Sequence, residues 1–333
     1  MIFVARQVQE ECREHCKDLY LAFIDLSKAF DTVNRELLWE ELGKLGVPPK
    51  FRNILWQFPD GMQACVSIGG QQSPFFSVDV GVKQGCVLAP TIFNIFLSTL
   101  LSHKLLDHSD GVQIQYRLDG NLFNIWHLQA FTKTTNQHIS ELQYADDCAL
   151  LAHSPEPLQR ALNVVASIYS TIGLQVNIKK TQIVVQDATP QTRVPTFTLD
   201  GHPLAIVPHF TYLGSILSPS CNIDDDIQVR NGLASAAFGR LSSKVFQNRN
   251  LTISTKAAVY KAVCLSTLLY GSESWTPYQR HIRTLEAFHI CYLQRLWVCP
   301  RKTGCPIMKS LTGPAYPAPT CSLRRNIYAG LGM

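Results

Sequence analysis

The chain has no stretch long and apolar enough to span a bilayer, for which about 20 consecutive apolar residues are needed. Charge is also thin. Charged residues make up 17% and hydrophobic residues 46%, which excludes a disordered polyelectrolyte and describes a globular chain. Met1-Ile2-Phe3-Val4-Ala5-Arg6 lacks the layout of a secretion signal. Internal repeats and low-complexity blocks are absent. Cysteine is plentiful, but the 11 residues are an odd number, scattered mostly through apolar segments. That distribution suits buried thiols in a reducing compartment, nucleus or cytoplasm, better than a disulfide scaffold. Cys299, Cys305 and Cys321 have the spacing of no zinc module.

A length of 333 residues gives room for two or three domains with real cores. The net charge of +5 is unevenly spread. Residues 1–220 hold 16 Lys and Arg against 20 Asp and Glu, while 221–333 hold 14 against 5. An acidic body with a basic C-terminal portion suits a protein that gathers carboxylates in one place and grips a polyanion with another. A solvated basic helical surface would have the same composition.

The chain is organised around Tyr144-Ala145-Asp146-Asp147, flanked by two short apolar-rich runs that read as strands. Side chains alternate faces along a strand, so the two Asp predict a hairpin tip between them. Neighbouring carboxylates in apolar surroundings repel one another unless a cation lies between, and a hard divalent ion is the usual one. A solvated turn is the competing reading. Upstream, Leu19-Tyr20-Leu21-Ala22-Phe23-Ile24 reads as a buried strand closed by Asp25. Asp31, Thr32 and Asn34 already supply caps for the helix that follows, which leaves Asp25 for chemistry.

In order, helices are expected at Phe3–Cys16, from Arg35 to Leu42, from Phe51 to Phe58, from near Pro90, and over Pro157–Ile172. A strand pair is expected at 66–70 and 75–80. A Gly-bearing loop at 81–90 follows, and the stretch 106–143 reads as an insertion carrying extra strands. Beyond Tyr212-Leu213-Gly214 the pattern turns helical at about 225–246, 255–269 and 278–297. From Cys299 on, five prolines (Pro300, Pro306, Pro314, Pro317, Pro319) end the periodicity, and a disordered tail is expected over 299–333.

Three segments stand in a telling order: Phe23-Ile24-Asp25-Leu26-Ser27-Lys28-Ala29-Phe30-Asp31, Lys83-Gln84-Gly85-Cys86-Val87-Leu88-Ala89-Pro90, and Tyr144-Ala145-Asp146-Asp147. Gly173-Leu174-Gln175-Val176-Asn177-Ile178-Lys179-Lys180-Thr181 and Phe210-Thr211-Tyr212-Leu213-Gly214-Ser215 follow. Together they resemble the palm motifs of reverse transcriptases, and the wording Lys-Ala-Phe-Asp and Tyr-Leu-Gly-Ser resembles the non-LTR (LINE-type) retrotransposon enzymes. The likeness runs from the N-terminus to about Trp297.

The resemblance implies an α+β fold, with a polymerase palm built on a small antiparallel sheet backed by helices and then an all-α thumb-like region. The expected division is palm with partial fingers over 1–218, thumb over 219–298 and tail over 299–333. The implied reaction is RNA-directed DNA synthesis by two-metal nucleotidyl transfer onto a primer 3′-hydroxyl. Two Mg2+ ions, for which Mn2+ can substitute, would be held by Asp25, Asp146 and Asp147, with Asp146 shared and Asp147 the less committed ligand. Phe30 would lie beneath the incoming sugar and exclude a 2′-hydroxyl, and Gln84 and Gly85 would line the nucleotide and template pocket. Lys180 or its neighbour Lys179 would serve the triphosphate; Lys180 matches the position in the family. Arg230, Arg240, Lys244 and Lys256 are candidate phosphate contacts of the thumb. The implied partners are an RNA template, a DNA primer and dNTPs, with no membrane.

Two departures set a second expectation. Only the Phe3–Cys16 helix, with Arg6, precedes the strand ending at Asp25, where the family places basic finger motifs, and no endonuclease segment is present. The alternative is therefore a truncated, non-catalytic nucleic-acid-binding remnant. A metal-dependent phosphatase or nuclease would need further ligands, and only His153 is near the paired acids in sequence.

Overall fold

The computed structural model describes residues 1–58, 60–82, 88–105, 111–117, 134–187 and 195–296. The tail expected over 299–333 lies outside them. The chain forms two compact units, Gln7–Phe210 with Met1, and Thr211–Met333 with Ile2–Arg6. Among the described residues no helix is long and apolar enough to cross a membrane.

The first unit is built on a five-stranded sheet. Its strands are β1 (Leu19–Ile24), β2 (Glu141–Tyr144), β3 (Asp147–Ala152), β4 (Gln182–Gln186) and β5 (Ala205–Ile206), in spatial order β5-β4-β1-β3-β2. All pairs are antiparallel except the short β4–β5 edge. Every residue of β1 is buried, as its unbroken apolar run requires of a central strand. Alternation sends Tyr20, Ala22 and Ile24 with Cys148, Leu150 and Ala152 into one core. That core is completed by Phe93, Phe96 and Leu97 of helix α4 (Ala89–Leu105) and by Leu158, Leu162, Val165 and Tyr169 of α5 (Pro155–Thr171). The opposite face carries Leu21, Phe23, Ala149 and Leu151, also buried, with Phe23 stacked on Phe210 at 4.2 Å.

The remaining helices of this unit match the periodicity closely. Helix α1 (Ile2–Glu14) begins the chain and runs across the division between the units. Helix α2 (Arg35–Lys44) is capped by Asn34, whose side chain accepts from Glu36 and Leu37 amides. Helix α3 (Pro49–Gln57) follows. The strand pair expected at 66–70 and 75–80 is differently registered. Gly69 and Gly70, both at positive φ, make a two-residue turn that pairs Ser67–Ile68 with Gln71–Gln72 and then Gln63–Ala64 with Phe76–Ser77. The insertion does carry a further hairpin, Val112–Arg117 with Thr134–Ile139.

The second unit is helical, as the charge and periodicity indicate. It contains α6 (Asp224–Leu241), α7 (Ile253–Val259) and α8 (Gln279–Leu296). Two π-helical stretches, Ser242–Phe246 and Tyr260–Leu265, continue α6 and α7. Its core gathers Ile227, Phe238, Tyr260, Leu268, Trp275 and Leu285.

Candidate nucleotidyl-transfer site

The hairpin tip is a two-residue turn between paired Tyr144 and Asp147. Ala145, its first central residue, sits at φ +52, where a side chain is strained. Gln143 holds the turn by donating Nε2 to the Ala145 carbonyl at 2.6 Å. The turn thus projects Asp146 at its tip and returns Asp147 to the sheet.

The ladder between β1 and β3 ends at Ile24 opposite Cys148. One step further, the same register brings Asp25 opposite Asp147. Both continue the Phe23–Ala149 face, away from the helices α4 and α5. The electrostatics agree: the Asp147 carboxyl is raised above its ordinary range by burial first, then by Asp146 and by Asp25. In this register it is Asp147 that stands across from Asp25, while Asp146 occupies the turn.

Among the described residues no three His, Cys, Asp or Glu side chains close into a ready-made metal cage. The donor set nevertheless fits a hard divalent cation. All three groups are carboxylates, ionised Asp147 is destabilised by burial and then by its like-charged neighbours, and Asp25 Oδ2 is a buried oxygen that accepts no hydrogen bond.

A tight turn wraps Asp25. The Asn177 amide donates to the Asp25 carbonyl at 2.8 Å, and the Asp25 amide donates to Thr181 Oγ1 at 3.4 Å. Thr181 is fully buried, and its amide closes the turn on the Asn177 carbonyl. The same turn separates the two lysines that the sequence leaves together. Lys180 Nζ lies 3.5 Å from Asp25 Oδ2. Both lysines are exposed, but an ion pair to the site is formed by Lys180.

Phe30 is half-buried and packs its ring on Phe93, with centroids 4.6 Å apart. Gln84 and Gly85 lie outside the described residues. Sequence reasoning missed Thr181, Asn177, Gln143 and Arg35, whose guanidinium grips three carbonyls at 78–81. Only the residues' place inside the motifs could have signalled Thr181 and Asn177, since a hydroxyl or amide carries no pattern of its own.

In the second unit one candidate phosphate contact is corrected. Arg230 is buried, bonds the Gly214 carbonyl, lies 4.4 Å over the Tyr270 ring and neighbours Asp226, so it has no face to offer a phosphate. Tyr270 donates to the adjoining Leu213 carbonyl at 2.9 Å. Arg240 and Lys244 are exposed and Lys256 is half-exposed. Arg6 is also buried, paired with Asp226 at 3.0 Å, and serves the core of this unit.

Comparison with known proteins follows the same lines. A model of the family described as reverse transcriptase (RNA-dependent DNA polymerase) matches residues 3–217. The retrovirus-related Pol polyprotein from type-1 retrotransposable element R2 of Popillia japonica is 26% identical over 59% of this chain and 30% of its own. The RNA-directed DNA polymerase from mobile element jockey of Drosophila melanogaster is 22% identical over 84% of this chain and 28% of its own. The chain therefore spans less than a third of the length of these two relatives. Apo telomerase from Candida tropicalis aligns with a TM-score of 0.49 at 13% identity, over 93% of this chain and 48% of that one.

Proposed function

The chain belongs to the reverse transcriptase (RNA-dependent DNA polymerase) family, and on that premise we propose that it carries out RNA-directed DNA synthesis of the non-LTR retrotransposon kind. Its substrates are an RNA template, a DNA primer and dNTPs. The observation that carries this reading is the placement of Asp25 across from Asp147, at the end of the hairpin that bears Asp146.

Asp25, Asp146 and Asp147 would hold divalent cations, Mg2+ in the first instance. Such ions, when bound, supply charge neutralisation at the primer hydroxyl and at the departing pyrophosphate. The three carboxylates orient the reacting groups by where the hairpin and β1 hold them. Lys180, already within reach of Asp25, offers its ammonium to the triphosphate and a proton to the leaving oxygen. The Phe30 ring, backed by Phe93, would close the space that a 2′-hydroxyl needs. Gln84 and Gly85 would line the pocket beside it. Arg240, Lys244 and Lys256 would hold the template–primer duplex by its phosphates, which sets affinity rather than sequence choice. The seven free thiols among the described residues are compatible with a reducing compartment, nucleus or cytoplasm.

The test is primer extension on an RNA template with Mg2+ and dNTPs. The expected result is extension by the chain and its loss in Asp146→Ala, by on the order of 100-fold or more. The alternative is duplex binding without synthesis, by a non-catalytic remnant of such an element. Binding of template–primer with no extension in any divalent ion would establish that reading instead.

A further inference from the structure

The loop that carries Phe30 is fastened to a neighbouring strap by an arginine that the proposed chemistry does not use. Arg35 opens α2 and turns its guanidinium toward residues 78–81. Its Nε donates to the Gly81 carbonyl at 2.7 Å, Nη1 to Val78 at 2.9 Å and Nη2 to Val80 at 3.2 Å. Three carbonyls in one arc match a planar fork of donors, which a lysine ammonium cannot reproduce.

The strap in turn bonds the Phe30 loop. The Gly81 amide donates to the Val33 carbonyl at 2.9 Å, and the Val82 amide to the Phe30 carbonyl at 2.7 Å. The approach is too close for any side chain at Gly81. A Cβ there would meet the Asp31 carbonyl oxygen at 2.5 Å, and the residue lies at φ +84. Phe30 is thus held on two sides, its carbonyl by Val82 and its ring by Phe93.

We propose that Arg35 is a positioning residue for sugar selection: by gripping the 78–81 strap it fixes the Phe30 backbone, and so the height at which the Phe30 ring meets the nucleotide sugar. The inference rests on the polymerase reading and adds to it a residue outside the proposed set of three carboxylates, Lys180 and Phe30. A general packing role would slow all nucleotides alike. A positioning role shifts the balance between deoxy- and ribonucleotides, because discrimination depends on a fraction of an ångström at one ring.

The experiment is single-nucleotide insertion by the full chain, comparing kcat/KM for a dNTP and the matching rNTP in the unaltered protein, Arg35→Met, Arg35→Lys and Phe30→Ala. Arg35→Met is expected to lower the dNTP preference on the order of 10-fold, mostly through the rNTP KM. Arg35→Lys should recover little of it, and Phe30→Ala should lose more. Amide exchange at Gly81 and Val82 should quicken in Arg35→Met, while Ala149 and Leu150 in β3 keep their protection. An active chain whose sugar preference in both Arg35 variants equals that of the unaltered protein overturns the inference alone, as does unchanged exchange at Gly81 and Val82. A chain that inserts no nucleotide in any variant overturns the polymerase reading and this inference together. Should Arg35→Met fail to fold, Arg35→Lys keeps the charge without the fork and makes the same comparison.

Discussion

At Asp147 folding and chemistry pull against one another. Its carboxyl is raised above the usual value of 3.8 by burial, Asp146 and Asp25, so the folded chain binds the proton more tightly than the unfolded one. A raised acid contributes stability below 3.8 and loses it as pH climbs through the folded value. At neutral pH the ionised group is therefore a small burden. Asp147→Asn is expected to stabilise the fold at pH 7 by less than about 1 kcal/mol, since the group is half-exposed and screened. The difference should vanish below pH 3.8, and extension should fail. Urea denaturation at pH 7 and pH 3 measures it, and a destabilised Asp147→Asn at pH 7 would contradict the assignment.

Lys180 gives a second test at this scale. Its ammonium stands beside the same Asp25 oxygen that a cation would use. Removing it as Lys180→Met should tighten Mn2+ binding by roughly 2- to 5-fold, the range of an exposed ion pair, while slowing nucleotide insertion. Lys179→Met should change neither. Calorimetric titration with Mn2+ separates the two lysines without relying on turnover.

Among the elements, the hairpin of β2 and β3 is the part whose geometry decides the site. Ala145 takes positive φ in a turn where glycine would be at ease, and the Gln143 amide compensates locally. Ala145→Gly should stabilise the fold by roughly 1 kcal/mol in thermal unfolding, and a loss of stability would mean the turn is not strained there. The elements were largely legible before any coordinates. The continuous apolar run at 19–24 could only be a central strand, and two adjacent acids could only sit at a bend. The register was not legible. Gly69-Gly70 announced a glycine turn, but not that the pairing would close directly across it, with Ser67–Ile68 on Gln71–Gln72. Arg230 misled for a related reason: charge is visible in a sequence, but the carbonyl and ring that bury it are brought by Gly214 and Tyr270, 16 and 40 residues away. That Asp147 stands across from Asp25 was not legible either, because pairing across β1 and β3 is a long-range fact.

For the whole molecule, the two units answer differently to acid. The first is governed by its raised carboxylates, Asp147 and Glu141, the latter through burial. The second holds a buried His289, whose Nδ1 lies 3.0 Å from the Tyr260 hydroxyl. Burial, with a smaller push from Lys261, lowers this imidazole to about 4. The neutral ring accepts from Tyr260, whose own hydroxyl is raised by burial and stays protonated. Between pH 6.5 and 4 the unfolded chain takes up a proton that the folded one refuses, so stability drains as pH falls through that window and is fully lost below it. The complete effect is roughly 3 kcal/mol. Trp275 is buried in the same core and reports its opening by fluorescence. Urea midpoints followed at Trp275 should fall from pH 7 to pH 4, and His289→Gln should flatten the slope in that interval. The acidic groups act in the opposite sense there, since protonation relieves Asp147 and Glu141. A probe on β3 should therefore show a shallower acid loss than Trp275, and equal slopes at both probes would mean that the chain titrates as one cooperative body.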